Sequence, residues 1–297
     1  MIGQVVQVGG GVYVVSTEEG PREASLRGRI KQDDDDGDRV VIGDRVELRV
    51  ADDAVTIESV LPRSTWLVRR TMGGRRRKIV AANLDRLLVL VSAKDPPPSL
   101  PVVDRMLVMG ESGGLECLLV LTKVDLVSPT EAGALLADHA AVGYPVLMTS
   151  TVTGDGLDAV REVLSTGSSA LVGPSGVGKS SLLNALDPGL QLQTQDVGRR
   201  SRSGRHTTVS ARLVPLGPGG LVADTPGFSD VGLGDVEPDT LAACFPEFRS
   251  HLGSCRFRDC THLHEPGCSV LEALVEGRIP TGRYDSYKAI LDELATA

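Results

Sequence analysis

Aromatic side chains are scarce in this chain: one Trp, four Tyr and four Phe among 297 residues. Tyr13 is the sole aromatic before Trp66, so the N-terminal region lacks the stacking platform on which single-stranded nucleic-acid binders of the small-barrel type rely. No stretch approaches eighteen uninterrupted apolar residues, which argues against a membrane-spanning helix. Five cysteines are too few for a disulfide scaffold in a chain of this length. The opening MIGQVVQVGGG shows neither a basic leader nor an apolar signal core, and a cytoplasmic protein is expected. No coiled-coil pattern demands a dimer, so a monomer is expected.

Charge is distributed unevenly around a formal net of −8. Residues 1–60 carry seven Arg/Lys against thirteen Asp/Glu, whereas residues 61–80 carry seven Arg/Lys and no acid. A second basic stretch comprises Arg199, Arg200, Arg202, Arg205 and Arg212. Either could be a solvated face; two of them beside a phosphate-handling core point to an anionic macromolecule, and Arg69 to Lys78 is a better candidate for phosphate contact than the net-acidic region before it.

The pattern of the chain divides it in three. GQVVQV, VYVVST, VVIGDRVELRV and AVTIESVL read as short β segments separated by Gly, Asp and Pro turns, and a small oligonucleotide-binding (OB) type β-barrel is expected over 1–65. From 66 to 232, buried strands (LDRLLVLVSA, LECLLVLTKVD, PVLMTS, SALVG, ARLVPL, GLVADTPG) alternate with helices near 101–113, 129–141, 156–164 and after GKSSLLNAL begins. This is βαβ grammar: an α/β fold, a mostly parallel sheet with helices on both faces. A short helical segment containing Cys and His occupies 233–297.

The nucleotide chemistry concentrates in five segments. GPSGVGKSS comprises Gly173, Pro174, Ser175, Gly176, Val177, Gly178, Lys179, Ser180 and Ser181. Its place between an apolar strand and an apolar helix makes it a P-loop: glycines curl the backbone so that N–H groups face phosphates, Lys179 neutralises β and γ oxygens, and the Ser180 hydroxyl ligates Mg²⁺. That motif alone does not separate ATP from GTP. Thr122, Lys123, Val124 and Asp125 (TKVD) do so, because Asp125 can accept from guanine N1–H and the 2-amino group, a pair adenine lacks. Thr122 stands where guanine-binding proteins more often have Asn, and its hydroxyl can make one of the bonds an Asn amide would make. Ser150 and Thr151, in the TSTVTG loop, fit the segment whose backbone contacts guanine O6.

Asp224 and Gly227 in DTPG supply an acid for the Mg²⁺ shell and an N–H for the γ-phosphate. GRHTT contains the candidate switch threonine, Thr207 or Thr208 with Thr208 preferred, and His206 as either a catalytic or a phosphate-contacting side chain. Phe228 follows DTPG where many small GTPases place a water-orienting Gln, which predicts slow unaided turnover. Potassium-using GTPases carry an Asn at the position of Gly176, so potassium dependence is not implied. Cys255, Cys260, His262 and Cys268 form a complete tetrahedral set within fourteen residues. Such a closed set suits one structural Zn²⁺, with His264 or the more distant His251 as rivals for the imidazole.

In ordinary GTPases the P-loop comes first; here TKVD and TSTVTG precede it. This permuted order, with a barrel before it and a Cys-x4-Cys-x-His-x5-Cys knuckle after it, resembles the bacterial ribosome small-subunit-dependent GTPase A family over nearly the whole chain. The resemblance implies a cytoplasmic factor that binds the small ribosomal subunit and its rRNA late in assembly and hydrolyses GTP faster when bound there. Two other readings remain: a large-subunit assembly GTPase, and a GTP-regulated RNA-binding module.

Overall fold

The computed structural model describes residues 1–27, 40–51, 54–70, 77–190, 211–224, 233 and 236–296. Its first five strands are β1 (Ile2–Gly9), β2 (Val12–Thr17), β3 (Gly20–Leu26), β4 (Arg45–Ala51) and β5 (Ala54–Val60). They run in the order β1-β2-β3-β5-β4, and the β1–β4 pairing closes an OB-type barrel. Val5, Val15, Val46 and Ile57 fill it, one inward position in two along each strand. Tyr13 belongs to this core and is unavailable as a stacking surface. β3, GPREASL, carries no strand signal in the sequence because five of its seven residues are polar or Gly/Pro and only Ala24 is buried. The VVIGDRVELRV run is not one strand: Ile42 forms an isolated bridge to Ala81, and Gly43 turns the chain before β4. A Cβ on Gly43 would lie 1.8 Å from the Ala82 carbonyl oxygen, so only glycine permits this crossing.

A hairpin, β6 (Trp66–Arg70) with β7 (Arg77–Ala82), follows the barrel. Its basic composition sets it apart from the apolar strands that the sequence marks clearly. The hairpin meets the barrel through the Ile42–Ala81 bridge, and a buried Asp44 fixes the chain that leads into it: the Arg63 guanidinium donates to both carboxylate oxygens at 2.7 and 2.9 Å, and the Val41 N–H donates at 2.8 Å. Such a bidentate, hydrogen-bonded pair satisfies a carboxylate that burial would otherwise penalise.

The central layer contains β8 (Arg86–Ser92), α1 (Leu100–Ser112), β9 (Glu116–Thr122), α2 (Pro129–Leu135), α3 (Ala137–Ala141), β10 (Val146–Met148), α4 (Leu157–Leu164), β11 (Thr166–Val172), α5 (Lys179–Leu186), β12 (Ala211–Leu216) and β13 (Gly219–Asp224). The order is β10-β9-β8-β11-β13-β12, with the first five parallel and β12 antiparallel. Strands such as RLLVLVS are apolar throughout because both faces are covered. Leu87, Val89 and Val91 pack with Met106 and Leu107 of α1, whereas Leu88 and Leu90 pack with Val160 and Leu164 of α4 and Leu182 of α5. The barrel continues this sheet, since β1 pairs with the start of β12 through Gln7↔Arg212 and Val8↔Ala211. The sequence predicts one helix over 129–141. Two form, α2 opened by a Ser128–Glu131 capping box and α3 set off by the non-helical Leu136.

The C-terminal part comprises α6 (Pro246–Arg249), α7 (Ser269–Val275) and α8 (Thr281–Thr296) around Phe245, Phe248, Tyr284 and Tyr287. Val108 of α1 joins that core. The junction is also ionic: Asp104 accepts from Arg283 of α8 and contacts His139 of α3 at 2.7 Å, while Arg283 donates to Glu247 of α6 at 2.7 Å. Burial alone would raise the Asp104 carboxyl, but bonds from His139 and Ser286 and the Arg283 charge hold it below its usual range. Arg283 is 1% exposed and lies over the Phe245 ring at 4.8 Å.

Removing the guanidinium leaves two carboxylates buried without a counter-charge. Arg283→Met is expected to destabilise the C-terminal part by about 3–5 kcal/mol, read as a lower urea midpoint in the near-ultraviolet signal of Tyr284 and Tyr287. Arg161→Ala, on an exposed pair with Asp158, is expected to cost less than about 1 kcal/mol.

Candidate functional site

Parallel strands deliver their C-terminal ends to one sheet edge, where α/β folds present ligand loops. TKVD leaves β9, TSTVTG leaves β10, the P-loop leaves β11 and Asp224 ends β13. Four segments separated in sequence therefore meet.

The P-loop turns at Gly173 (φ +156°), Gly176 (φ +83°) and Gly178 (φ +99°). At Gly173 a Cβ would also stand 2.7 Å from the Leu90 carbonyl oxygen of β8, so the loop is pressed against the sheet. Val177 is buried beneath it, while Pro174, Gly176, Ser180 and Ser181 are half-buried and Ser175 is exposed. α5 starts at Lys179, which aligns its positive dipole end with the loop. The Lys179 ammonium donates to the Gly173 and Pro174 carbonyls at 2.5 and 3.1 Å. Desolvation lowers its pKa from the usual lysine value, so an anion placed in this loop gains a cation already short of water.

Thr122 and Lys123 join the TKVD loop to the P-loop. The buried Thr122 hydroxyl donates to the Val177 carbonyl at 2.6 Å and lies 3.3 Å from the Val91 carbonyl. Lys123, at φ +57°, donates to the Gly176 carbonyl at 2.8 Å and to the Asp95 carbonyl. Val124 packs on the core and its N–H donates to Thr149. Asp125 is exposed, and one carboxylate oxygen accepts from the Ser150 hydroxyl at 2.5 Å. Ser150 is fully buried, and its oxygen accepts from the Val152 and Thr153 N–H groups at 3.1 and 3.2 Å. Thr151 beside it is exposed. The sequence points to the backbone of this loop and does not reveal the Ser150 side chain as the group that aims Asp125. Its signal is weak, a serine in a turn, because the partner is 25 residues away.

Asp224 forms an exposed ion pair with Arg212 at 3.1 Å, a partner that the sequence marks only as part of a basic run. Register explains it, since Arg212 and Asp224 are directly paired residues of β12 and β13. His206, Thr207, Thr208, Gly227 and Phe228 lie outside the described residues.

The second cluster is the knuckle. His262 Nδ1 lies 3.5 Å from Cys255 Sγ and 3.3 Å from Cys268 Sγ; the two sulfurs are 3.9 Å apart, and the ligand atoms of all four residues, Cys260 included, lie within 4.8 Å of one another. Zinc–ligand bonds of about 2.3 Å to sulfur and about 2.0–2.1 Å to nitrogen give tetrahedral edges of about 3.8 Å (S–S) and about 3.6 Å (S–N). The cluster fits that geometry, and its donors have the right chemistry. Burial raises the Cys260 thiol to about 12, with Cys268 and Cys255 adding to the shift, a shift that a bound cation would reverse; desolvation lowers His262 and so favours the neutral imidazole that ligates metals. His262 adopts φ +60°, and the flanking carbonyls are held by Tyr284 Oη on His262 and Tyr287 Oη on Thr261 at 2.7 and 2.8 Å. His264 is exposed outside the cluster, and His251 faces Arg278 at 3.2 Å. His262 is the imidazole of the set.

Thr122→Val keeps the side-chain shape but strips the Val177 carbonyl of its donor. A loss of about 1–3 kcal/mol is expected, seen as a lower urea midpoint, with Thr122→Ser close to the parent; equal midpoints for all three would show that the bond carries nothing.

Residues 60–234 match the family model described as RsgA GTPase. The "Small ribosomal subunit biogenesis GTPase RsgA" of Gemmatimonas aurantiaca is 51% identical over 98% of this chain and 97% of that protein. Among solved structures, YjeQ from Thermotoga maritima superposes with a TM-score of 0.80 at 34% identity, covering 100% of this chain and 99% of that one. YloQ, described as a circularly permuted GTPase, gives 0.75 at 30% identity, covering 99% and 95%. Permuted motif order, the converging nucleotide loops and likeness along the full length agree: the chain belongs to the RsgA GTPase family.

Proposed function

We propose that this GTPase binds the small ribosomal subunit and acts in its late maturation, with hydrolysis of GTP to GDP and phosphate stimulated by the subunit. The observation that carries the catalytic half is the Thr122–Val177 bond, which fastens the base-reading loop to the phosphate loop. The subunit half is supported by the names of the relatives and by the acid-free basic stretch over residues 61–80. The working unit is a cytoplasmic monomer with a barrel over 1–65, a GTPase domain over 66–232 and a zinc-binding domain over 233–297.

Asp125, aimed by Ser150, accepts from guanine N1–H and the 2-amino group, Lys123 lies against the base, and the Ser150–Thr151 backbone meets O6. Lys179 leaves the Gly173 and Pro174 carbonyls for the β and γ oxygens, which repay the desolvation that lowers its pKa. Ser180, Thr208 and Asp224 would hold Mg²⁺, which when bound neutralises charge developing on the transferred phosphoryl group. For this Asp224 must release Arg212, freeing that guanidinium at the barrel seam. Gly227 offers its N–H to the γ-phosphate. His206 would orient water in the subunit-bound state, since the apolar ring of Phe228 offers no hydrogen bond to water.

Cys255, Cys260, His262 and Cys268 would hold one structural Zn²⁺. A set of four protein ligands leaves no open position, so the ion staples the C-terminal domain and takes no part in hydrolysis.

GTP turnover is expected to rise at least tenfold with small subunits and to stay basal with large subunits or with ATP as substrate. Lys179→Ala should abolish the stimulated rate. Asp125→Asn should shift preference from GTP to XTP, because an amide N–H pairs with the 2-oxo group of xanthine. Stimulation by the large subunit would favour the alternative assembly reading, and equal rates with every addition would leave a nucleotide-regulated RNA-binding module.

Chelation is expected to remove one equivalent of zinc per chain and, with it, the near-ultraviolet signal of Tyr284 and Tyr287. Restoring the metal should restore the signal; a zinc-free protein with that signal intact would refute the stapling role.

A further inference from the structure

Phe257 is 43% exposed and is the only exposed aromatic side chain among the described residues. A lone exposed apolar residue needs no explanation by itself, but three features of its surroundings do. It lies between Cys255 and Cys260 of the knuckle, flanked by Arg256 and Arg258, both exposed. Neither guanidinium has a carboxylate partner among the described residues, and the Arg256 guanidinium sits 5.6 Å from the Phe257 ring centre. The tip is also held rigid. Glu265 accepts from the N–H groups of Thr261, Leu263 and His264 and from the Thr261 hydroxyl, so its charge is used within the loop. The Arg256 N–H is bonded to Gly267 at 3.0 Å.

This basic tip is a local exception. Residues 233–297 carry six Arg/Lys against eleven Asp/Glu, and the nearest uncommitted acid is the exposed Asp259. A chain so poor in aromatics thus places the one exposed ring among its described residues, beside two guanidinium groups with no carboxylate partner among those residues, on the loop that carries the Cys3His set. Planar rings and guanidinium planes stack on unpaired nucleobases, and the guanidinium charge reaches the adjoining phosphates. An acidic peptide would use the two charges but gains nothing from the ring.

We propose that the knuckle tip, Arg256–Phe257–Arg258, is a stacking platform for an unpaired base of single-stranded RNA. The inference rests on the small-subunit reading for the source of that RNA, while the stacking chemistry stands apart from it. The barrel, whose Tyr13 is buried, would then contribute shape and charge, and the knuckle would contribute base stacking. The platform presents no set of groups that distinguishes one base from another, so little sequence preference is expected.

The test uses full-length, zinc-loaded protein and fluorescein-labelled decamers of uridylate and adenylate, with an RNA duplex and poly-glutamate for comparison. Phe257→Ala is expected to weaken decamer binding about tenfold, within the range that one stacked base carries, while zinc content and basal GTP turnover stay unchanged. Phe257→Trp should retain binding and add a fluorescence component quenched by the decamer, distinct from that of Trp66. Arg256→Ala with Arg258→Ala should reduce the salt dependence of binding by one to two ions. Parental decamer affinity in Phe257→Ala, tighter binding of the duplex than of the decamers, or equal binding of poly-glutamate would each overturn the proposal. Small-subunit stimulation of GTP turnover, measured on the same wild-type protein, tests the ribosomal reading separately: its absence would remove the ribosome as the source of RNA and leave the decamer result standing.

Discussion

The parallel register of β9, β8, β11 and β13 is the constraint on which the rest depends. Because Arg86 pairs with Glu116 and with Ser169, and Ser169 with Val222, all in parallel, the four strands point their C-terminal ends the same way, at Ser92, Thr122, Val172 and Asp224. Their loops must then share one edge whatever the order in which the chain supplies them. A permuted sequence loses nothing by this, since the contacts that matter run between neighbouring strands and not between consecutive motifs. The cost is two buried faces, met by the unbroken apolar strands and by helices on either side.

Two junctions attach the remaining parts to that sheet, and they differ in kind. The barrel joins through backbone pairing of β1 with the start of β12. The C-terminal part joins through side chains: an aromatic core shared with Val108, and the Asp104–Arg283–Glu247 chain of charges. Backbone pairing at Arg212 brings the barrel next to Asp224, an expected Mg²⁺ ligand. The buried charges tie the C-terminal helices to α1 and α3, on the face of the sheet opposite α4 and α5.

Much of the site is legible in the amino-acid sequence because its chemistry is local. A phosphate loop needs glycines at fixed spacing, and the knuckle needs three thiols and an imidazole close in sequence. The sheet is equally legible, since buried parallel strands are continuous apolar runs. β3 is hidden because it is largely exposed and polar, and the β6–β7 hairpin because its buried residues Leu67, Val68, Ala81 and Ala82 are interrupted by a run of basic ones that breaks the period. The single helix expected over 129–141 fails at Leu136, where helical propensity yields to the geometry that brings α3 and His139 to Asp104.

Residue identity and short spacing were enough to reveal the permuted motif order, an acid expected to read guanine, the Cys3His set and the α/β class. Which histidine completes the knuckle, which group bonds Asp125, and how barrel, sheet and C-terminal helices are joined came from long-range packing. It also decided that Phe257 faces solvent whereas Tyr13, Phe245 and Phe248 do not. Those outcomes depend on contacts between residues distant in the chain, and burial belongs to the packed whole.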